Sequence, residues 1–184
     1  PISILVNNAA VNSAVARVAT LDPAAWTYDL AANLNGPFYA VRAVLPGMLE
    51  LGWGRIVNIS SGAAVGANAG LAAYSTAKAG LNHFTRVLAA ELEDTGVVAL
   101  CIAPGIMDTQ MQTDARALAI PETDLFRAYQ KQGWLRPPAE AAALVRWLCG
   151  SEGGEFAGQF VSIHSTALRA RVGLPELPEA LRQP

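Results

Sequence analysis

The stretch RIVNISSGAAVGANAGLAAYSTAKAG, residues 55–80, decides the fold. It opens on RIVNIS (55–60), an apolar run rich in β-branched residues and too short for a helix, which predicts a buried strand. A loop of small residues, SGAAVGANAGLAA (61–73), follows. From about Tyr74 to Glu93, the spacing of Leu81, Phe84, Leu88 and Leu92 then predicts an amphipathic helix. Strand, loop and helix make half of a crossover unit, and the rest of the chain repeats it.

Upstream, ISILV (2–6) reads as a strand ended by the turn-forming Asn7-Asn8. Leu34, Phe38, Val41, Leu45 and Met48 predict a helix over 34–51, which Pro46 is expected to bend. Downstream, VVALCIA (97–103) is a strand stopped by Pro104-Gly105. Residues 108–135 are mixed and polar and read as short helices on a mobile segment. RPPAEAAALVRWLCG (136–150) predicts a helix with proline in its first turn, Glu140 near the positive N-terminus and Gly150 closing it. GQFVSIH (158–164) is the fourth strand. The tail, 166–184, has three prolines in its last ten residues and no clear period, so it is expected to be disordered or laid on a partner.

Continuous apolar strands alternating with helices imply right-handed crossovers. The expected fold is α/β, a doubly wound, Rossmann-like parallel sheet of about four strands over 1–165. Its ligand site lies beyond the carboxyl ends of the strands.

Composition narrows the function. Charged residues are 15% of the 184, against about 25% in an average soluble domain, and hydrophobic residues are 52%. This suits a sheet covered on both faces, or a subunit hiding surface in an oligomer. No apolar run reaches the ~18 residues of a membrane helix, and a net charge of −2 offers nucleic acid no basic footprint. Cys101 and Cys149, far apart and apolar in setting, are expected to be reduced core residues of a cytoplasmic protein. His83 and His164 alone are too few for a zinc site. The chain opens directly on PISILV, without methionine, and reads like a piece of a longer protein.

Tyr74 and Lys78 share a helix face at i and i+4. Bringing a tyrosine from its usual pKa near 10 to neutral pH takes about 4 kcal/mol. A cation about 4 Å away at an effective dielectric of 20 supplies energy on that order. The lysine is therefore expected to make the phenol a working acid-base, although the spacing alone also fits a plain helix surface. Ser61, thirteen residues before Tyr74, stands at a strand end where its hydroxyl could polarise a carbonyl or merely satisfy a turn. The GxSxG elbow of a serine hydrolase is absent.

With ILVNNAA, NLNG, GRIVNISS, YSTAK, APGIMDT and GQFVSI in this order, the chain resembles the short-chain dehydrogenase/reductase family over nearly its whole length. The resemblance implies an oxidoreductase that moves a hydride between NAD or NADP and an alcohol or ketone. In it Tyr74 is the acid-base, Ser61 holds the substrate oxygen, and Lys78 lowers the tyrosine pKa and binds the nicotinamide ribose. Asn33 matches the asparagine that keeps a kinked helix open for a water relay. Asn7, Asn8, Ala9 and Ala10 match the cofactor floor, Asn7 and its neighbours also steadying the sheet. Pro104, Gly105 and Met107 match the stretch beside the nicotinamide, and Thr109 the donor to its carboxamide. A homodimer or homotetramer through helices 34–51 and 74–93 is implied as well.

Ala10 departs from the family's glycine, Leu100 from its asparagine, and His164-Ser165 from its acidic-glycine ending. The glycine-rich phosphate loop is absent from the 184 residues, because no G-x-x-x-G-x-G follows a strand. The strand at 2–6 is accordingly expected to be an exposed apolar edge. Two alternatives stand beside the dehydrogenase: an inactive short chain serving as a binding or dimerisation module, and an epimerase or dehydratase. Met111, Trp134 and Leu135 hint at an apolar pocket under 108–135.

Overall fold

The computed structural model describes residues 1–118 and 120–182. Four strands, β1 (Ile4–Asn7), β2 (Gly54–Ile59), β3 (Val97–Ala103) and β4 (Phe160–Ser162), form one sheet in the order β1-β2-β3-β4. Every pairing is parallel, as the alternation of strand and helix predicted.

Successive residues of a strand face opposite sides of the sheet, and both sides here are covered. Ile56 and Ala99 point into a cluster with Val41 and Met48 of α2 (Gly36–Leu51) and Leu88 of α3 (Ala72–Glu91). Val57 and Leu100 point the other way, to Leu144 and Leu148 of α6 (Pro138–Leu148) and to Leu168 of α7 (Thr166–Val172). Double coverage explains why β3 reads as continuous apolar sequence with no alternation. At β1 the coverage fails: among the described residues β2 is its only strand neighbour, and Ile4 and Val6 are exposed. The strand is the apolar edge that the sequence implied.

Three features depart from expectation. Residues 23–30, not anticipated as helical, form α1 (Pro23–Leu30), whose start is set by Asp22, its side chain accepting from Ala24 N at 3.0 Å, and by proline at the first position. A π-helical turn at Ala31–Asn35 joins α1 to α2. The helix irregularity thus sits at Asn33, whereas α2 runs through Pro46 from Gly36 to Leu51.

The tail is ordered. Ser165 caps α7, Gly173 ends it in the left-handed region at φ 74°, and Leu177 and Leu181 are buried. Arg169 fastens it: its guanidinium donates to the carbonyls of Pro175 and Ile163 and to Glu140 of α6, the last at 2.7 Å. Prolines that limit the backbone beyond Gly173 do not rule out packing. Over 166–182 the tail is laid on its own chain and not disordered; 183 and 184 lie outside the described residues.

Between β3 and α6, α4 (Gln110–Ala117) and α5 (Asp124–Lys131) supply the short helices expected over 108–135. Arg136 N donates to Ile106 O and Asp108 N to Arg136 O, both at 2.8 Å, so the segment is pinned shut at its base. Phe126 and Ala115 bury themselves on Leu71, just ahead of α3.

Candidate active site

A cleft of about 1240 Å³ opens at the carboxyl ends of the strands, where a parallel sheet of this kind holds its ligand. Ser61 follows β2 and Tyr74 lies in the first turn of α3, so the loop between them returns both to one rim. Ser61 does the turn serine's work, its Oγ accepting from Ala63 N at 3.1 Å. The same hydroxyl lies close to the Tyr74 phenol. Burial pushes Tyr74 above the ordinary tyrosine value of 10, and the Ser61 contact only partly pulls it back.

Lys78 is 2% exposed. Its Nζ donates to Ile59 O at 2.8 Å and lies 5.7 Å from the centre of the Tyr74 ring. Burial, slightly offset by the nearby Cys101, pulls the ammonium down from 10.5 to about 8. The cation is engaged by a carbonyl, and desolvation, which disfavours both charged forms, is the larger effect on each residue.

Asn8, Ala9, Ala10, Pro104, Gly105, Met107 and Thr109 line the cleft with Ser61, Tyr74 and Lys78. Gly105 has φ 81°, and a Cβ there would come within 2.7 Å of His164 Nε2, so only glycine fits.

Two anticipated site residues stand apart. Asn7 Nδ2 donates to Asn58 Oδ1 at 2.7 Å, and Asn58 donates to Thr85 of α3 at 2.8 Å. Asn7 thus locks β1 to β2 and, through Thr85, to the helix that carries Tyr74. Asn33 is fully buried, with its amide spent on both backbone groups of Val11, at 3.1 and 2.8 Å. One turn earlier, Asp29 accepts from Ser13 N at 3.2 Å and Ala14 N at 3.3 Å. Together they hold the loop after β1 against the cleft floor.

The sequence reading missed Asn12, Gln112, Phe126, Tyr129 and His164 as lining residues. Phe126 and Tyr129 were findable, since with Leu125 they make the one apolar stripe of an otherwise polar helix. Met111 lines the cleft as expected. Trp134 instead stacks behind Tyr129, ring centres 6.0 Å apart, and Leu135 is not part of the lining.

The parallel sheet thus opens at its carboxyl ends onto a rim that carries Ser61, Tyr74 and the buried Lys78. The short chain dehydrogenase pattern matches residues 1–119, and the chain belongs to that family. D-beta-hydroxybutyrate dehydrogenase of Cupriavidus necator is 39% identical over 154 residues, covering 79% of this chain and 59% of that protein. The 3-oxoacyl-[acyl-carrier-protein] reductase of Aquifex aeolicus is 35% identical over 168 residues, with 89% and 64% covered. The chain thus spans roughly three fifths of the length of these relatives. Among solved structures, F189W actinorhodin polyketide ketoreductase with NADPH superposes with a TM-score of 0.78 at 30% identity, over 89% of this chain and 66% of that one.

Proposed function

We propose that this chain carries the catalytic end of an NAD- or NADP-dependent oxidoreductase that interconverts a ketone and a secondary alcohol. The observation that carries the reading is the Tyr74 phenol beside Ser61 on the cleft rim, with the buried Lys78 one turn behind it. The names of the relatives, two reductases or ketoreductases and a dehydrogenase, support it.

The residues fit the nicotinamide end of such a cofactor. Gly105 clears space beside Pro104 and Met107, Thr109 offers a hydroxyl, and Lys78 and Tyr74 supply polar groups on the same wall. Among the described residues none forms a glycine-rich turn for the pyrophosphate. When bound, the nicotinamide supplies or accepts the hydride.

The chain's own residues handle the oxygen. Ser61 donates to it and fixes its position. Tyr74, held protonated by burial, donates its proton as the carbonyl becomes an alcohol, and takes one back in the oxidative direction. Lys78, near 8, is the adjacent group able to exchange a proton at physiological pH. Asn33 and Asn7 work at a distance, holding the floor loop and the helix.

Association through 34–51 and 74–93 is part of the proposal. Phe38 and Tyr39 of α2 and Val87 of α3 are 44%, 63% and 45% exposed, and Phe38 meets Phe84 edge-on, which gives one apolar face across both helices. The two free thiols suit a reducing, cytoplasmic setting.

Turnover of an aliphatic β-keto ester with NADPH or NADH tests the reading. Tyr74→Phe should cut kcat by about 10²–10⁴-fold while thermal stability is retained. Unchanged turnover in that variant would reject Tyr74 as the acid-base.

A further inference from the structure

The cleft is apolar and uncharged at the end where a substrate would meet Tyr74. Leu71, Met111, Leu125 and Phe126 form its wall, and Asn12 and Gln112 provide its polar groups. Among the described residues lining the cleft, only Lys78, Arg146 and His164 are basic, and none serves that end. Lys78 Nζ is held by Ile59 O. Arg146 lies eight residues along α6 from Pro138, about 12 Å down the helix at 1.5 Å per residue, towards the amino ends of the strands. His164 rests against Gly105, and burial, with Arg169 nearby, holds its pKa below the ordinary histidine value, so it is neutral at pH 7.

The other charges of the covering segment are engaged or turned away. Arg127 binds Asp124, and Glu122 binds Arg17 while its side chain lies over Gly70. Arg116 donates to Thr113 at 2.9 Å and is not part of the lining. A substrate carboxylate entering here would leave water without meeting a cation, which is costly.

We propose that Asn12, Gln112 and this apolar wall select an uncharged carbonyl compound, a ketone, ester or thioester, and reject keto acids whose carboxylate lies beside the reacting carbon. The proposal rests on the oxidoreductase reading for the identity of the site, and it adds what the site admits.

Methyl acetoacetate and acetoacetate at pH 7.5 form the test pair, since they share the keto group and differ in charge. Trp134, stacked behind the cleft residue Tyr129, reports occupancy by fluorescence without any need for turnover, and Trp134→Phe identifies its share of the signal. The ester should bind at least about tenfold more tightly than the acid. Gln112→Lys, which places a cation in the wall, should strengthen acetoacetate binding relative to the ester by about fivefold or more. Equal binding of the pair, tighter binding of the acid, binding of neither, or no response to Gln112→Lys would each overturn the proposal. Turnover with NADPH or NADH separates it from the reading beneath it. Selective binding of the ester without reduction would sink the oxidoreductase and keep the selectivity; equal reduction of both would do the reverse.

Discussion

Two cations are buried in this molecule almost equally, Lys78 at 2% and Arg169 at 3% exposed, and they serve opposite ends. Arg169 meets a carboxylate and two carbonyls, and with them fastens a tail onto α6. Lys78 meets one carbonyl and no carboxylate, and its pKa falls to about 8. A paired buried cation builds structure. One left without a counter-charge costs stability and keeps a proton that can move at physiological pH, which is where proton chemistry needs it.

The paired side breaks first. Glu140 bridges Arg136 and Arg169, and Arg136 is also the residue whose backbone pins Ile106 and Asp108 beside the cleft. Burial alone would raise the Glu140 carboxyl, but hydrogen bonds from Arg136 and Arg169 hold it below its ordinary 4.5. Glu140→Gln leaves Arg169 buried without its counter-ion and should cost about 3–5 kcal/mol in urea unfolding. Adding Arg169→Met should recover much of that loss, and a double-mutant cycle showing simple additivity would refute the coupling. Because the folded pKa is depressed, the carboxylate's contribution is full above about pH 4.5 and fades as pH falls through the folded value. The Glu140→Gln protein should therefore lose less of its remaining stability in acid than the parent does.

A smaller effect is expected at Asn33. Asn33→Ala strands the N–H and C=O of Val11, at about 1–3 kcal/mol, and frees the floor loop. If the amide acts by holding that loop, binding of reduced nicotinamide cofactor should weaken more than kcat falls. A fall in kcat with unchanged KM for the cofactor would instead favour a direct role in proton relay.

Asn33 also shows where sequence stopped being sufficient. Its place in NLNG marked it as functional, and the strands and the Ser61–Tyr74–Lys78 group were legible because period and order survive in one dimension. What it touches was not legible. A bidentate bond to Val11 joins residues 22 apart through a π-turn that has no local signature. The tail misled for a related reason. Its prolines report local backbone limits, while Arg169 and Leu168 hold it by contacts with residues far away in sequence. The burial that raises the Tyr74 pKa is likewise invisible in a spacing rule.

The unpaired side gives the smallest signal and the sharpest test of the contrast. Lys78 titrates near 8 in the folded protein and near 10.5 when exposed. Below pH 8 the folded state bears the full cost of burying the ammonium. As pH rises from 8 the folded protein sheds this proton before the unfolded chain does, so stability should rise with pH. Cys101 opposes this from pH 9 upwards, because burial, only partly offset by its bond to Thr85 and by Lys78, pushes its thiol from 9 to about 11, and the unfolded chain then loses the proton first. Tyr74 acts in the same opposing sense above pH 10. Cys149, whose thiol burial also raises, opposes in the same sense, so the lysine is isolated by the difference between the parent and its uncharged variant across pH 8 to 9, to which it should contribute about 1 kcal/mol. Lys78→Met, which keeps the length and removes the charge, should therefore show no rise with pH over this range, only the fall due to the thiols. A rise that persists in Lys78→Met would mean that another group titrates there, and that Lys78 is as well satisfied in its pocket as Arg169 is in its own.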